Sequence, residues 1–132
     1  MSFRDFMSAY IECALWSSLD EADDTGGAPL DDNYGPEDIH PDSLRDIEAV
    51  CRDFYYAWEP VWRVQYTSTG HWGDDAQAGH DFWLTRNGHG TGFWDRHWEG
   101  GKEPGRTLTE ACRPYGSADI YVGDDGMLHG GA

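Results

Sequence analysis

Histidine and aspartate side chains gather in the segment 79–97, in a combination that metal and acid–base sites use. If this segment folds back as an antiparallel hairpin, His80 and His97 face each other and Asp95 lies on the same face. Two imidazoles and a carboxylate can hold zinc. A small metal-dependent hydrolase centred on His80, Asp81 and His97 is therefore one hypothesis. This hypothesis depends on the hairpin register, since no HxxxH or CxxC spacing occurs. The preferred expectation is that the protein binds no metal and no cofactor.

Other catalytic signals are weak. Ser43 is better used as a helix cap, and Cys51 falls on the apolar side of a predicted helix. The GxSxG turn of hydrolases and the GxxxxGK[ST] loop of phosphate-binding proteins are both missing from the sequence. Cys13, Cys51 and Cys112 are odd in number and widely spaced, which predicts reduced, structural thiols. The sequence therefore favours a protein that is not an enzyme, with no catalytic residue.

Charge is the strongest compositional feature. The formal net charge is −16, from 25 acidic and 9 basic residues. This balance argues against direct binding to nucleic acid or to an anionic membrane, because both require cations that neutralise phosphates. The acids concentrate in two predicted loops, 20–42 and 70–79. The spacing of acids in 20–42 does not match a calcium-binding loop. We expect these loops to contact a protein with a basic surface, through Asp23, Asp24, Asp31, Asp32, Glu37, Asp38, Asp74 and Asp75.

Two amphipathic helices are predicted before the histidine-rich segment. Apolar residues recur at spacings of three and four over residues 3–19, with Ser2 as the cap. A second stripe of the same spacing begins after a cap at Asp42 or Ser43 and runs to Trp58. Pro60 is expected to end or kink this helix. Residues 59–68 fit either a continued helix or a short strand.

The segment 80–97 is predicted to be an aromatic β-hairpin. A reversal at Gly88–His89 pairs Trp83 with Trp94 and Asp81 with Arg96, and such cross-strand pairs stabilise a sheet. The rival register turns at Asn87–Gly88, since Asn-Gly is the strongest short hairpin signal. In both registers the motif is read mainly as core strands. Its residues are His80, Asp81, Trp83, Arg86, Phe93, Trp94, Asp95 and Arg96.

The remaining elements complete an α+β prediction. A capping box at Thr107 and Glu110 opens a short helix over 108–114, and strands follow at 118–122 and 127–129 around an Asp-Gly turn. We expect one domain over 1–132, in which two N-terminal helices pack on a small, mainly antiparallel sheet. Its helical part is 1–69, its sheet-rich part is 79–132, and the acidic loops are 20–42 and 70–79.

One stretch resembles a known family. The run AGHDFWLTRNGHGTGFWDR at 78–96 is similar to the signature of a family of small proteins encoded by tailed bacteriophages. Further similar pieces are LDDNYGPEDI at 30–39, CRDF at 51–54, LTEA at 108–111, YGS at 115–117 and YVGDDG at 121–126. The resemblance covers roughly residues 30–128. It implies a phage origin and, by itself, no activity.

Charge and resemblance together give the functional expectation. We expect a phage accessory protein that binds a host protein through its acidic surface, as a DNA-mimic inhibitor of host defence or nucleic-acid machinery would. The sequence has no apolar run near the ~20 residues of a membrane span and no signal peptide, so the expected location is the cytoplasm of the bacterial host. The alternatives are the metal-dependent hydrolase and a virion or assembly component. The sequence leaves the oligomeric state open.

Overall fold

The computed structural model describes residues 2–19, 27–63, 66, 73–99 and 101–132. Its helices are α1 (Phe3–Ser17), α2 (Pro41–Trp62), α3 (Asp74–Arg86) and α4 (Glu103–Cys112), and its strands are β1 (Ile120–Val122) and β2 (Leu128–Gly130). Short 3-10 turns lie at Leu30–Asp32, Pro36–Asp38, Phe93–Asp95 and Arg113–Tyr115. Two predicted partner-binding residues, Asp23 and Asp24, lie outside the described residues.

Helix α1 confirms the first sequence prediction. Ser2 caps it, because its hydroxyl accepts the Asp5 N–H at 3.3 Å. The apolar stripe is buried, with Phe6 and Tyr10 fully inside the core. A residue spacing of three and four therefore gave the correct helix and the correct buried face.

Helix α2 begins and ends differently from its prediction. The N-cap is His40, whose Nδ1 accepts the Asp42 N–H at 3.1 Å, rather than Asp42 or Ser43. Pro41 then occupies the first turn, where a proline loses no hydrogen bond. The helix continues through Pro60 to Trp62. Residues 59–62 are thus helical, whereas 64–65 and 67–68 lie outside the described residues.

The predicted hairpin over 80–97 is wrong, because its first half belongs to α3. Gly88 has φ +65° and follows the helix as a left-handed cap. The His89 N–H bonds to the Leu84 carbonyl at 3.2 Å and the Gly88 N–H to the Thr85 carbonyl at 3.4 Å. These two bonds form a Schellman motif. Asn87–Gly88 therefore ends a helix, and the chain continues to the 3-10 turn at 93–95.

The reason for this error is that α3 is buried on nearly all sides. Its buried residues include every position from Asp81 to Leu84. A helix surrounded by protein has no polar face, so its sequence lacks the three-four alternation by which amphipathic helices are recognised. Aromatic residues, which favour strands, then suggested a hairpin.

The predicted fold class also needs correction. The described part of the chain is mostly helical, and its sheet consists of β1 and β2 alone. These strands lie close to their predicted positions and pair antiparallel, with Tyr121 opposite His129. The helices do not cover a sheet; instead β2 is attached beside the start of α2, where the His40 N–H donates to the Leu128 carbonyl at 2.8 Å.

Helix α4 starts earlier than predicted. It begins at Glu103, with Pro104 in its first turn, so the Thr107–Glu110 pair lies inside the helix. The expected capping box is therefore wrong. The signal that marks the true start is the proline, which favours the first helical turn.

Rings build the core, as the composition of seven tryptophans, seven tyrosines and five phenylalanines suggests. Phe54 of α2 stacks on Phe82 of α3 with 4.1 Å between ring centroids. Phe6 of α1 lies parallel to Trp62 at 5.5 Å. Phe93 closes the cluster from the 3-10 turn. Helices α1, α2 and α3 therefore share one aromatic interior.

Close contact between α1 and α3 depends on Gly79. A Cβ atom at this position would lie 2.0 Å from the Phe6 carbonyl oxygen, far inside van der Waals contact. We expect Gly79→Ala to lower the free energy of unfolding by about 1–3 kcal/mol, as overpacking does, although alanine gains about 1 kcal/mol in helix propensity. Urea denaturation measures the change. Gly90→Ala is the control, because a Cβ there meets nothing within 4 Å and its φ is not positive. Equal stability of both variants would contradict this account.

Candidate functional site

The most concentrated polar chemistry surrounds Asp81 on α3, whose side chain is fully buried. Arg96 approaches it bidentately, with Nη2 at 2.7 Å from Oδ1 and Nε at 3.0 Å from both carboxylate oxygens. The Tyr66 hydroxyl donates to Oδ2 at 3.0 Å and the Gln77 amide to Oδ1 at 3.1 Å. The predicted Asp81–Arg96 pair therefore exists, but it joins a helix to a loop rather than two strands.

A second buried carboxylate, Asp75, lies nearer the start of α3. It accepts bonds from the Tyr55 hydroxyl at 3.1 Å, the Trp62 indole at 3.0 Å and Arg63 Nη2 at 3.2 Å. All three donors come from α2 and its C-terminal end. Asp75 was predicted to contact a partner, but its complete burial removes it from any contact surface. Nothing in its sequence context separates it from the adjacent Asp74, which is half-buried.

The two carboxylates act as anchors rather than as acid–base groups. Burial raises the pKa of Asp81, and the bonds from Arg96, Tyr66 and Gln77 offset part of that effect. Burial, together with the neighbouring Asp81 carboxylate, also raises the pKa of the Tyr66 hydroxyl. Both oxygens of Asp81 already accept hydrogen bonds, and among the described residues no buried side-chain polar atom lacks a partner. The donors to Asp81 therefore come from α3, from Tyr66 and from the loop after the 93–95 turn.

The histidines of the hydrolase hypothesis do not join Asp81. His80 is half-buried on α3 beside Trp16, with 6.1 Å between ring centroids. His97 is exposed in the loop after the 93–95 turn. Within the described ranges no group of three or more histidine, cysteine or acidic side chains could hold a metal ion. The hypothesis thus lacks the ligand cluster it needs.

The remaining motif residues fall into separate environments. Trp83 is buried and its indole donates to the Ser17 hydroxyl at 2.8 Å, whereas Trp94 is 51% exposed, so the expected tryptophan pair is wrong. Phe93 is in the core. Asp95 caps the 93–95 turn by accepting the Gly92 N–H at 2.9 Å. Residues of one continuous motif therefore have three different roles: some are buried in the core, one caps a turn, and one is exposed at the surface.

Arg86 is a buried anchor for the C-terminal region. Its guanidinium donates to the main-chain oxygens of Tyr115, Gly116 and Ala132 at 2.8–3.1 Å and to the Tyr10 hydroxyl at 2.8 Å. Tyr10 in turn donates to the Gly131 carbonyl at 2.6 Å. These bonds tie α1, α3 and the end of the chain together. The sequence placed this arginine in a strand and gave no sign of its acceptors.

Exposed acids lie on the two 3-10 turns before α2. Asp31, Asp32 and Glu37 are exposed, whereas Asp38 is half-buried and accepts the Gly35 N–H at 2.8 Å. We call Asp31, Asp32 and Glu37 the acidic turns. Asp74, in the first turn of α3, is half-buried. Of the predicted partner-binding residues that the structure describes, the acidic turns are those that it leaves fully at the surface.

Helix α2 carries further exposed acids that were not among the predicted site residues. They lie opposite the buried stripe and are Asp42, Asp46, Glu48 and Asp53. The same three-four periodicity that gives the buried face also gives this one. Asp42 and Glu48 pair with Arg45 and Arg52 of the same helix, so the negative charge of this face is partly neutralised.

Most basic side chains already pair with acids of the same chain. Arg63 and Arg96 pair with buried carboxylates. On the helix surfaces Arg45, Arg52, Arg106 and Arg113 pair with acids three or four residues away. Within the described residues, no ion pair involves the acidic turns or Asp46. Among the described residues, negative charge is therefore left without a cation on the acidic turns and at Asp46, and also at the exposed Glu12, Glu99 and Asp119.

Comparisons of the chain with protein-family models, with curated proteins and with solved structures each found no match. The resemblance to phage proteins consequently stays a prediction from the sequence motifs. In the part of the chain that the structure describes, no helix combines the length and apolarity needed to cross a membrane.

The buried Asp81–Arg96 pair makes a testable contribution to stability. We expect Arg96→Gln to lower the free energy of unfolding by about 3–5 kcal/mol, because it leaves a buried carboxylate without its cation. Arg106→Gln removes an exposed pair with Glu103 and should cost about 0–1 kcal/mol. Urea denaturation of both variants at neutral pH gives the comparison.

A pH series separates this electrostatic effect from lost packing. Without Arg96 the pKa of Asp81 rises further, so the folded variant takes up a proton as the pH falls. Its free energy of unfolding then comes closer to that of the native protein. The deficit of Arg96→Gln should thus be smaller at about pH 4 than at pH 7. A deficit that stays constant with pH would contradict a charge-based role.

The three cysteines give an independent test of burial. All are buried and free, and burial raises the pKa of Cys13 and of Cys112 to about 12. We expect a disulfide reagent at about pH 8 to modify none of the three rapidly in the native protein, because the thiolate is the reactive form. All three should react at once in denaturant. Rapid labelling of the native protein would contradict the packing of α1, α2 and α4.

Proposed function

We propose that this protein binds a protein with a basic surface, through the acidic turns and the neighbouring acids of α2. The observation that carries the proposal is the exposure of Asp31, Asp32 and Glu37 without ion pairs among the described residues. Their charge is available to a partner, whereas most of the arginines are already neutralised within the chain. Charge of one sign concentrated in this way favours attraction of an oppositely charged surface.

The net charge produces a long-range attraction to basic surfaces, and salt limits its distance. With a formal charge of −16, the protein creates a negative field that screening limits to about 8 Å at physiological ionic strength. Exposed charges that meet a partner mainly raise the association rate and set the choice of partner. Binding should consequently weaken as salt is added.

A phage accessory protein that acts in the cytoplasm of a bacterial host fits this chemistry. The motif resemblance at 78–96 supports the phage origin, and the acidic surface supports a target whose own surface is basic. Host proteins that bind nucleic acid carry such surfaces. The proposed role is to occupy one of them as a DNA mimic and so inhibit host defence or nucleic-acid machinery.

Neutralising the acidic turns tests the proposal. We expect Asp31→Asn/Asp32→Asn/Glu37→Gln to lose most binding to partners captured from host lysate at low salt. Asp38 is kept, because it caps the Gly35 N–H. The matched control is Glu12→Gln/Glu99→Gln/Asp119→Asn, which removes the same number of exposed acids elsewhere.

The readout is the amount of each captured protein, quantified by mass spectrometry at low and at high salt. Loss of the same partners from both triple variants would mean that total charge, and not this surface, determines binding. Binding that survives both the turn variant and high salt would refute the acidic-surface proposal. Competition between this protein and a DNA duplex for the captured partner then tests the DNA-mimic role.

A further inference from the structure

A groove along α4 has the opposite charge from the rest of the surface. One section, of about 230 Å³, is lined by Trp94, Lys102, Arg106, Thr109 and Glu110. A second section, of about 390 Å³, shares Thr109 with the first and continues past Arg86 and Arg113. Thr109 borders both sections, so they lie side by side against the helix, and we call the two together the α4 groove.

Cations dominate this groove. Lys102, Arg106 and Arg113 line it with exposed side chains, and Glu110 is the acid among its lining residues. Arg86 borders it as well, but this buried guanidinium already donates to main-chain oxygens. The chain has 9 basic residues against 25 acidic ones, so this share of its cations in one concavity departs sharply from its composition. The groove is therefore suited to an anion, although the protein as a whole repels anions.

The surface arginines of the groove can exchange their present partners. Arg106 pairs with Glu103 at 2.9 Å and Arg113 with Glu110 at 3.1 Å, and the four side chains are 58–75% exposed. Exposed pairs of this kind are worth only about 0–1 kcal/mol. A phosphate, which arginine can hold bidentately, competes with such carboxylates.

An aromatic platform stands at the other end of the groove. Trp94 is 51% exposed, and two hydrogen bonds hold the 3-10 turn that carries it. Asp95 caps this turn, and the Phe93 N–H donates to the Thr85 hydroxyl oxygen at 3.1 Å. The same threonine lines the groove, and its own hydroxyl proton is left for another acceptor.

We propose that the α4 groove binds a nucleoside phosphate, with the base stacked on Trp94 and the phosphate held near Arg113 and the Thr85 hydroxyl. Exposed indole rings beside cations are the platforms on which nucleobases stack. Arg106 borders the section that Trp94 lines, and Arg113 borders the section that Thr85 lines, so a cation lies beside each of the two proposed contacts. The site is independent of the acidic turns.

The ligand is a mononucleotide rather than a nucleic-acid strand. The groove is short, and the field of a protein with charge −16 opposes every further phosphate that extends beyond it. A single nucleotide places its charge within the groove, where the cations lie inside the ~8 Å screening length. A strand would carry most of its charge over acidic surface.

Isothermal titration of the full chain at low salt tests the proposal with four probes: adenosine 5′-monophosphate, adenosine, inorganic phosphate and a single-stranded 20-mer. We expect adenosine 5′-monophosphate to bind more tightly than adenosine, than inorganic phosphate and than the 20-mer. Trp94→Ala and Arg113→Gln should each weaken nucleotide binding about tenfold, within the range of a lost stacking contact.

Matched controls separate the groove from general surface effects. Trp16→Ala removes another exposed tryptophan, 56% accessible. Arg45→Gln removes an arginine as exposed as Arg113, with an acid at the same three-residue spacing. Both controls should bind the nucleotide like the native protein, and circular dichroism verifies the fold of each variant.

Three results would overturn the proposal. The first is no nucleotide binding at millimolar concentration. The second is inorganic phosphate binding as tightly as the nucleotide, with Trp94→Ala unchanged, which would indicate an anion site without base stacking. The third is tighter binding of the 20-mer, which would indicate a nucleic-acid strand as the ligand.

Discussion

The burial of two carboxylates on α3 is the constraint on which the rest of the structure depends. A buried charge without a partner costs several kcal/mol, so Asp75 and Asp81 must each collect donors from other parts of the chain. Arg63, at the end of α2, reaches Asp75, and Arg96, beyond the 93–95 turn, reaches Asp81. These requirements fix where α2 ends and how the chain returns after α3. Helix α3 is thus central because other parts of the chain donate hydrogen bonds to its carboxylates and pack against its aromatic rings.

Packing and polar anchoring work together around this helix. Gly79 lets α1 approach until the Phe6 carbonyl contacts the helix backbone, and the rings of α1, α2 and α3 interleave beside that contact. Arg86 extends the same helix towards the end of the chain through its main-chain acceptors. A side chain larger than hydrogen at Gly79 would meet the Phe6 carbonyl, and Arg86 supplies donors to several main-chain oxygens at once. The density of the 78–96 motif is therefore explained largely by the fold it specifies.

Charge is distributed unevenly as a consequence. Two arginines are used inside the protein to neutralise carboxylates, and two others, Arg106 and Arg113, lie along α4. The exposed acids of the turns before α2 are left without cations among the described residues. The molecule consequently presents an acidic surface and a smaller cationic groove as two separate regions. The first is the basis of the proposed protein binding, and the second is the basis of the proposed nucleotide site.

The sequence alone determined α1, the buried face of α2, the last two strands and the aromatic core, because three-four spacing and turn residues are local signals. It also paired Asp81 with Arg96, but on the strands of a hairpin that the structure does not contain. The tertiary structure decided the rest. Helix α3 lacks an amphipathic pattern because it is covered on nearly all sides, so its strand-favouring rings and Asn87–Gly88 resembled a hairpin. Asp75 and Asp31 are the same residue type in similarly acidic surroundings, yet one is buried and one is exposed. Only the arrangement of distant donors, Tyr55, Trp62 and Arg63, distinguishes them, and no local pattern encodes that arrangement.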